Sequence, residues 1–144
     1  MEAGSNFVPA IPQLRIPADA PPYLAGARCA DCGQVYLARP VACPKCFSRK
    51  DMAEVALAER GKLYSYSIIH RSFPGVKVPF VMAVVDLEDG STLRGTLADV
   101  EPDPAAIRFD MPVRLVFRYS GQRDAAGQPY LSYIFVPDEE ARAQ

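Results

Sequence analysis

From about Glu54 to Val136 the chain alternates short apolar or β-branched runs with clusters of turn-forming residues, the spacing of an all-β domain. The run "EVALAERGKLYSYSIIH" is long enough for one bent strand, with Gly61 placed where a bulge would suit it. "PFVMAVVDL" is apolar on both faces, as a central strand is, and "EDG" (Glu88–Gly90) turns it into "STLRGTL" to make a hairpin. "PVRLVFRY" sets Val113, Leu115, Phe117 and Tyr119 on one face and Arg114 and Arg118 on the other; "PYLSYIFV" closes the set. Between the third and fourth runs, "ADVEPDPAAIRFDM" carries Pro102 and Pro104 and leaves room only for a short helix near Pro104 to Ile107. Five strands with a helix-sized insert at that position outline the OB-fold, a five-stranded Greek-key barrel. A small sandwich and an SH3-like barrel are the competing layouts, and periodicity alone does not separate them.

The N-terminal stretch follows another rule. Pro9, Pro12, Pro17, Pro21 and Pro22 remove amide donors and block a continuous helix, which predicts an extended arm. Phe7, Val8, Ile11, Leu14, Ile16, Tyr23 and Leu24 give that arm more apolar surface than a solvated tail needs, so it is expected either to lie against something or to be a flexible tail ordered only in part. The expected organisation is an arm over 1–27, a cysteine-rich ribbon over 28–50, the β domain over 51–137 and a tail over 138–144.

Length and composition narrow the picture. At 144 residues there is room for one compact domain and a small appendage. The 49% hydrophobic and 23% charged residues fit an ordinary globular chain and exclude wholesale disorder. A formal charge of -1 gives no general attraction to nucleic acid or anionic lipid. No apolar run approaches a membrane span, and "MEAGSNFVPAIPQLRIP" lacks the basic start and apolar centre of a signal peptide, so a cytoplasmic location is expected. In that reducing compartment, paired cysteines favour a metal over disulfides.

All four cysteines lie in "CADCGQVYLARPVACPKC", as two C-x-x-C hooks. Each hook presents two sulfurs from a tight turn, so Cys29, Cys32, Cys43 and Cys46 are expected to converge on one ion, zinc by default and iron as its substitute. Gly33 permits the turn after the first pair, and Pro44 stiffens the second. Such a cage is closed, hence structural. Arg28, Arg39, Lys45, Arg49 and Lys50 surround it against the single acid Asp31, either offsetting the net negative charge of a four-thiolate zinc or forming an anion site. With every thiol so used, His70 as the only histidine and no G-x-S-x-G elbow, no complete catalytic constellation is visible. Asp86, Glu88, Asp89, Asp99 and Glu101 read as solvated turn residues.

The order "RCADCGQVYLARPVACPKC", "GKLYSYSIIH", "PFVMAVVDLEDG", "MPVRLVF" resembles a family that joins a rubredoxin-like zinc ribbon to an OB-fold, over about residues 28 to 137. Members of that family accompany thiolase-superfamily enzymes. They include subunits of acyltransferases, of steroid side-chain aldolases and of the thiolase that cleaves benzoylsuccinyl-CoA. The resemblance implies a mainly β protein of OB-fold and ribbon, and a non-catalytic accessory subunit that docks on a thiolase-like catalytic partner, two copies of each. It also implies that CoA or an acyl-CoA is shared with that partner. Many relatives begin with a helix where this chain has its proline-rich arm, so a partner contact made by that helix does not carry over.

On that footing, the loop "HRSFPGVKVPF" is either the CoA edge of the barrel, because loops of OB-folds usually meet their ligands, or an ordinary solvated connector whose Phe73 folds back on the barrel or onto the partner subunit. Arg71 and Lys77 suit phosphate oxygens, and Phe73, presented by a turn at Pro74 and Gly75, suits the adenine ring or the pantetheine arm. The rival readings are a single-stranded nucleic-acid module and electron transfer through bound iron. The first would use Tyr64, Tyr66, Tyr119, Tyr130 and Tyr133 for stacking and Arg94, Arg114 and Arg118 for phosphates; the acidic isoelectric point, near 5.8, speaks against it.

Overall fold

A computed structural model of the chain describes residues 7–138. The first six residues of the expected arm, and all of the expected tail except Asp138, lie outside the described residues. Two compact units are present. One contains the described residues up to Leu57, with Asp89–Ser91 and Phe117–Tyr133; the other contains Ala58–Glu88, Thr92–Val116 and Ile134 onward.

In the first unit the proline-rich segment is extended, as its composition dictates, but it is built into sheets. Strand β1 (Val8–Pro9) runs parallel to the start of β10 (Pro129–Pro137), with Val8 opposite Tyr130. Strand β2 (Leu14–Arg15) pairs antiparallel with β3 (Tyr23–Arg28), setting Leu14 opposite Leu24. Both leucines are almost fully buried. β3 also pairs with β4 (Val35–Tyr36) and β5 (Ala53–Ala56), so its centre is covered on both edges; Leu24, Ala25 and Ala27 are buried accordingly. The run expected as one bent strand is therefore two: β5 belongs with β3, and β6 (Arg60–Ile69) begins afresh after Ala58 and Glu59.

The second unit holds three whole strands, the start of a fourth and the end of a fifth; taken as whole strands, these five make the OB-fold barrel. β6 pairs antiparallel with β7 (Phe80–Leu87), and β7 with β8 (Thr92–Leu97). β8 meets β10 in parallel at Leu97 and Phe135. β9 (Pro112–Arg123) pairs antiparallel with the start of β6 and also pairs with β10, completing the five-stranded path. Every second residue of β7, Val81, Ala83, Val85 and Leu87, is buried; Leu63, Leu93, Leu97, Val113, Leu115 and Phe135 meet the same interior. The short helix stands where its prolines allow: a single 3₁₀ turn at Pro104–Ala106, capped by the Asp103 carboxylate accepting from Ala105 N–H at 2.9 Å.

The register break in β6 falls between Leu63 and Ser65, leaving Tyr64 as the extra residue, and not at Gly61. Gly61 answers another need. A Cβ there would collide with the Asp86 carbonyl and the Leu87 backbone, so its hydrogen lets β7 approach. At the far end Asp138 is buried, its carboxylate 3.6 Å from Arg60 Nε and its N–H bonded to Pro112 O at 2.9 Å. Among the described residues no helix is long and apolar enough to cross a membrane.

Candidate metal centre and barrel loop

The two cysteine hooks fold as near copies of each other. In the first, which follows β3, Gly33 N–H donates to Cys29 O at 3.1 Å and Cys29 N–H to Gln34 O at 2.9 Å. In the second, Phe47 N–H donates to Cys43 O at 2.7 Å and Cys43 N–H to Ser48 O at 2.9 Å. The residue just after each second cysteine adopts a left-handed backbone: Gly33 at φ 80° and Phe47 at φ 65°. Glycine does this without steric cost, whereas phenylalanine does not.

The four Sγ atoms all lie within 4.8 Å of one another. Cys29 Sγ is 3.6 Å from Cys46 Sγ, and Cys32 Sγ is 3.6 Å from Cys43 Sγ. A tetrahedral four-thiolate zinc, with Zn–S near 2.3 Å, requires sulfur separations of about 3.8 Å. The donor set and its spacing thus fit such an ion. Cys29 and Cys43 are buried beside Ala27, Met52 and Tyr36, so this side of the cluster is closed by apolar atoms.

The surroundings favour thiolates at selected positions. Backbone N–H groups of Cys32 and then Asp31 aimed at its sulfur hold the Cys29 thiol below the ordinary thiol range. Cys43 is brought down to about 6, first by the Tyr36 hydroxyl 3.2 Å away and then by the N–H groups of Cys46 and Lys45. That contact in turn pushes the Tyr36 hydroxyl up to about 12. Cys46 receives the Ser48 N–H, yet burial and the three neighbouring sulfurs push it up to about 12. Four sulfurs this close require a cation before all four can be thiolates.

The cations around the hooks do not converge. Lys50 Nζ pairs with Asp31 at 2.9 Å, and Arg39 Nη2 donates to Met52 O at 2.8 Å; Lys45 and Arg49 are exposed. This dispersal fits local charge compensation better than one anion site.

The expected CoA residues lie on the loop between β6 and β7. Arg71 to Pro79 are all exposed. Val76 N–H donates to Phe73 O at 3.1 Å across Pro74 and Gly75, whose φ of 89° is that of a type II turn, and Phe73 is 82% exposed at its start. Arg71 and Lys77 share the loop but, among the described residues, neither makes an ion pair or hydrogen bond. His70 is exposed at the end of β6.

Two features of these regions were not foreseen from the sequence. One is the Tyr36 hydroxyl on Cys43. The other is the ring pair of Tyr66 and Phe109 on the barrel, 5.7 Å between centroids, with Phe109 67% exposed.

Comparison with known proteins gives two family matches: the rubredoxin-like zinc ribbon domain of ChsH2 over residues 18–52 and the C-terminal OB-fold domain of ChsH2 over residues 54–118. A DUF35 domain-containing scaffold protein of Methanocaldococcus jannaschii is 34% identical over 81% of this chain and 82% of its own length. The benzoylsuccinyl-CoA thiolase subunit BbsA of Thauera aromatica is 36% identical over 85% of this chain and 82% of its own. Among solved structures, the Ltp2-ChsH2(DUF35) aldolase contains a chain that matches with a TM-score of 0.62 at 30% identity, covering 80% of this chain and 84% of that one.

Proposed function

Because this chain belongs to the ChsH2/DUF35 family, in which a rubredoxin-like zinc ribbon precedes an OB-fold, we propose that it is a non-catalytic subunit of a CoA-dependent thiolase-superfamily complex. In this reading it docks on a catalytic partner, two copies of each, and helps shape the channel for CoA and the acyl group. The reaction served is thiolytic or retro-aldol cleavage of an acyl-CoA. The observation that carries the reading is the placement of the reactive side chains. All four cysteines sit in one cluster, and the single histidine stands exposed at the end of a strand. A cysteine nucleophile with its histidines, as thiolase chemistry requires, would then come from the partner. The thiolase subunit and the aldolase among the relatives support the same assignment.

Zinc held by Cys29, Cys32, Cys43 and Cys46 would fix the two hooks and, with no open coordination position, would supply no step of the reaction. The loop contributes to the ligand: Arg71 and Lys77 meet phosphate oxygens of CoA while Phe73 covers the adenine or the pantetheine arm.

Co-expression with candidate thiolase-like subunits, followed by kinetics on a CoA ester, tests both parts. A stable complex that cleaves the ester is expected. In it, Arg71→Ala combined with Lys77→Ala should raise KM for the ester at least about tenfold without dissociating the subunits, the minimum for two lost charge-assisted contacts in a partly wet site. An unchanged KM in an intact complex would remove CoA from this loop. A chain that stays apart from every such subunit would overturn the accessory role.

A further inference from the structure

The β6–β7 hairpin leaves one stretch of backbone unpaired. β7 covers one edge of β6 from Gly61 to Ile69, but β9 covers the other only at Arg60, Gly61 and Lys62. Leu63 then bonds residues 110 and 111: its N–H donates to Met111 O at 3.0 Å, and its carbonyl accepts from Asp110 N–H at 2.7 Å. Beyond it, from Tyr64 to Ile69, no second strand pairs with that edge among the described residues. Alternate residues of a strand turn both backbone groups to the same edge, so about three of these six leave an N–H and a C=O to solvent.

Natural edges are blunted by charge, proline or a covering element. Tyr64–Ile69 reads Tyr-Ser-Tyr-Ser-Ile-Ile, with no charge, no proline and no glycine, and its one register irregularity falls at Tyr64. Around the edge, large apolar side chains are left uncovered: Tyr64 is 64% exposed, and Phe109, whose ring leans on Tyr66, is 67% exposed. Exposed aromatic surface next to free strand backbone is the composition of a strand-addition site.

We propose that this edge of β6 accepts an extended segment of the catalytic partner as an added strand, an inference that rests on the accessory-subunit reading. Charge selects the occupant. Lys62, opposite Asp86 of β7, stands at one end, and Arg71 at the other, with no ion pair at either among the described residues. An incoming segment that is apolar or hydroxyl-bearing in its middle and acidic at its ends complements this edge. A second copy of the chain does not. Antiparallel pairing about the middle of Tyr64–Ile69 would set Lys62 of one copy opposite Arg71 of the other, and parallel pairing would set Lys62 opposite itself. Like charges directly across a strand pair oppose both arrangements.

Hydrogen exchange on the full chain, free and in the complex co-expressed with its thiolase-like subunit, tests the inference. The edge-facing amides of Tyr64–Ile69 should exchange fast in the free chain and at least about tenfold more slowly in the complex, while the loop amides from Arg71 to Val78 change little. Ser67→Lys, an exposed position on this strand, should weaken assembly while leaving the melting of the free chain intact. A complex in which these amides exchange as in the free chain would overturn strand addition and leave the accessory reading standing. Equal protection of edge and loop would point to simple cover and overturn it too, as would protection in the free chain that grows with concentration, which makes a second copy the occupant. Failure to assemble at all removes both readings.

Discussion

Between Cys29 and Cys46 only Cys29, Val35 and Cys43 are buried, and two of those three are in the sulfur cluster itself. The barrel instead buries Leu63, Val81, Ala83, Val85, Leu87, Leu93, Leu97, Val113 and Phe135, with no cysteine among them. One region can therefore be held by four sulfurs and an ion, the other by apolar surface withdrawn from water. The difference has a practical meaning. A segment as short as the ribbon cannot exclude enough water to fold by burial, so its stability is tied to metal occupancy, while the barrel should be indifferent to the metal.

The largest effect expected from this contrast is metal removal. Binding supplies about 10–16 kcal/mol of apparent folding energy in small zinc modules. Purified chain should carry one zinc, or one iron, per molecule by elemental analysis. Chelation, or Cys32→Ser, should collapse the amide NMR signals of Cys29–Lys50 while those of β7 and β8 stay dispersed. Loss of both sets together would break the comparison, because it would make the barrel depend on the ion; a folded sample free of metal would break it from the other side.

The reciprocal change comes next in size. Phe135 is fully buried in the barrel, opposite Leu97. Truncating a buried phenylalanine costs about 3–5 kcal/mol, from lost transfer energy and the cavity left behind. Phe135→Ala should lower the barrel's unfolding free energy by that amount, read as a lower denaturant midpoint, while metal content stays at one per chain. A variant that loses its metal along with its barrel would mean that the ribbon folds only on an intact barrel.

The same contrast explains what could be read in advance. The cysteine quartet was legible because its chemistry is written locally, in two short spacings of a single residue type. The strands were legible wherever one face is buried, since alternation then has a physical cause, as in Val81, Ala83, Val85 and Leu87. The helix insert was legible because Pro102 and Pro104 leave few conformations. What escaped depends on distant partners. β5 joined the strand before the ribbon and not the strand after it because Ala53–Ala56 pairs with Ala25–Arg28, a choice no local pattern encodes. Gly61 signalled an exception correctly, but its cause is the backbone of Asp86 and Leu87 across the sheet, and the bulge sits at Tyr64 instead. The hydroxyl of Tyr36, on β4, lies 3.2 Å from Cys43 of the second hook, a contact that no residue spacing announces.

The smallest expected effect compares the hooks with each other. Both place a left-handed residue after their second cysteine, and both use it to donate back to the first cysteine's carbonyl, yet one has Gly33 and the other Phe47. A side chain in that conformation costs about 1–2 kcal/mol, and Phe47 recovers little of this by burial because it is 80% exposed. Phe47→Gly should relieve the strain, offset in part by the freer unfolded chain, for a net gain of about 0.5–1 kcal/mol in the ribbon. The gain would be read as metal loss to a competing chelator slowed about threefold, with the barrel's denaturant midpoint unmoved. Gly33→Ala should move the same rate in the opposite direction. If Phe47→Gly instead speeds metal loss, the ring stabilises the free ribbon through contacts of its own. If it slows metal loss but weakens assembly with the partner, the strain is the cost of holding an exposed ring on the second hook, where it serves the complex and not the fold.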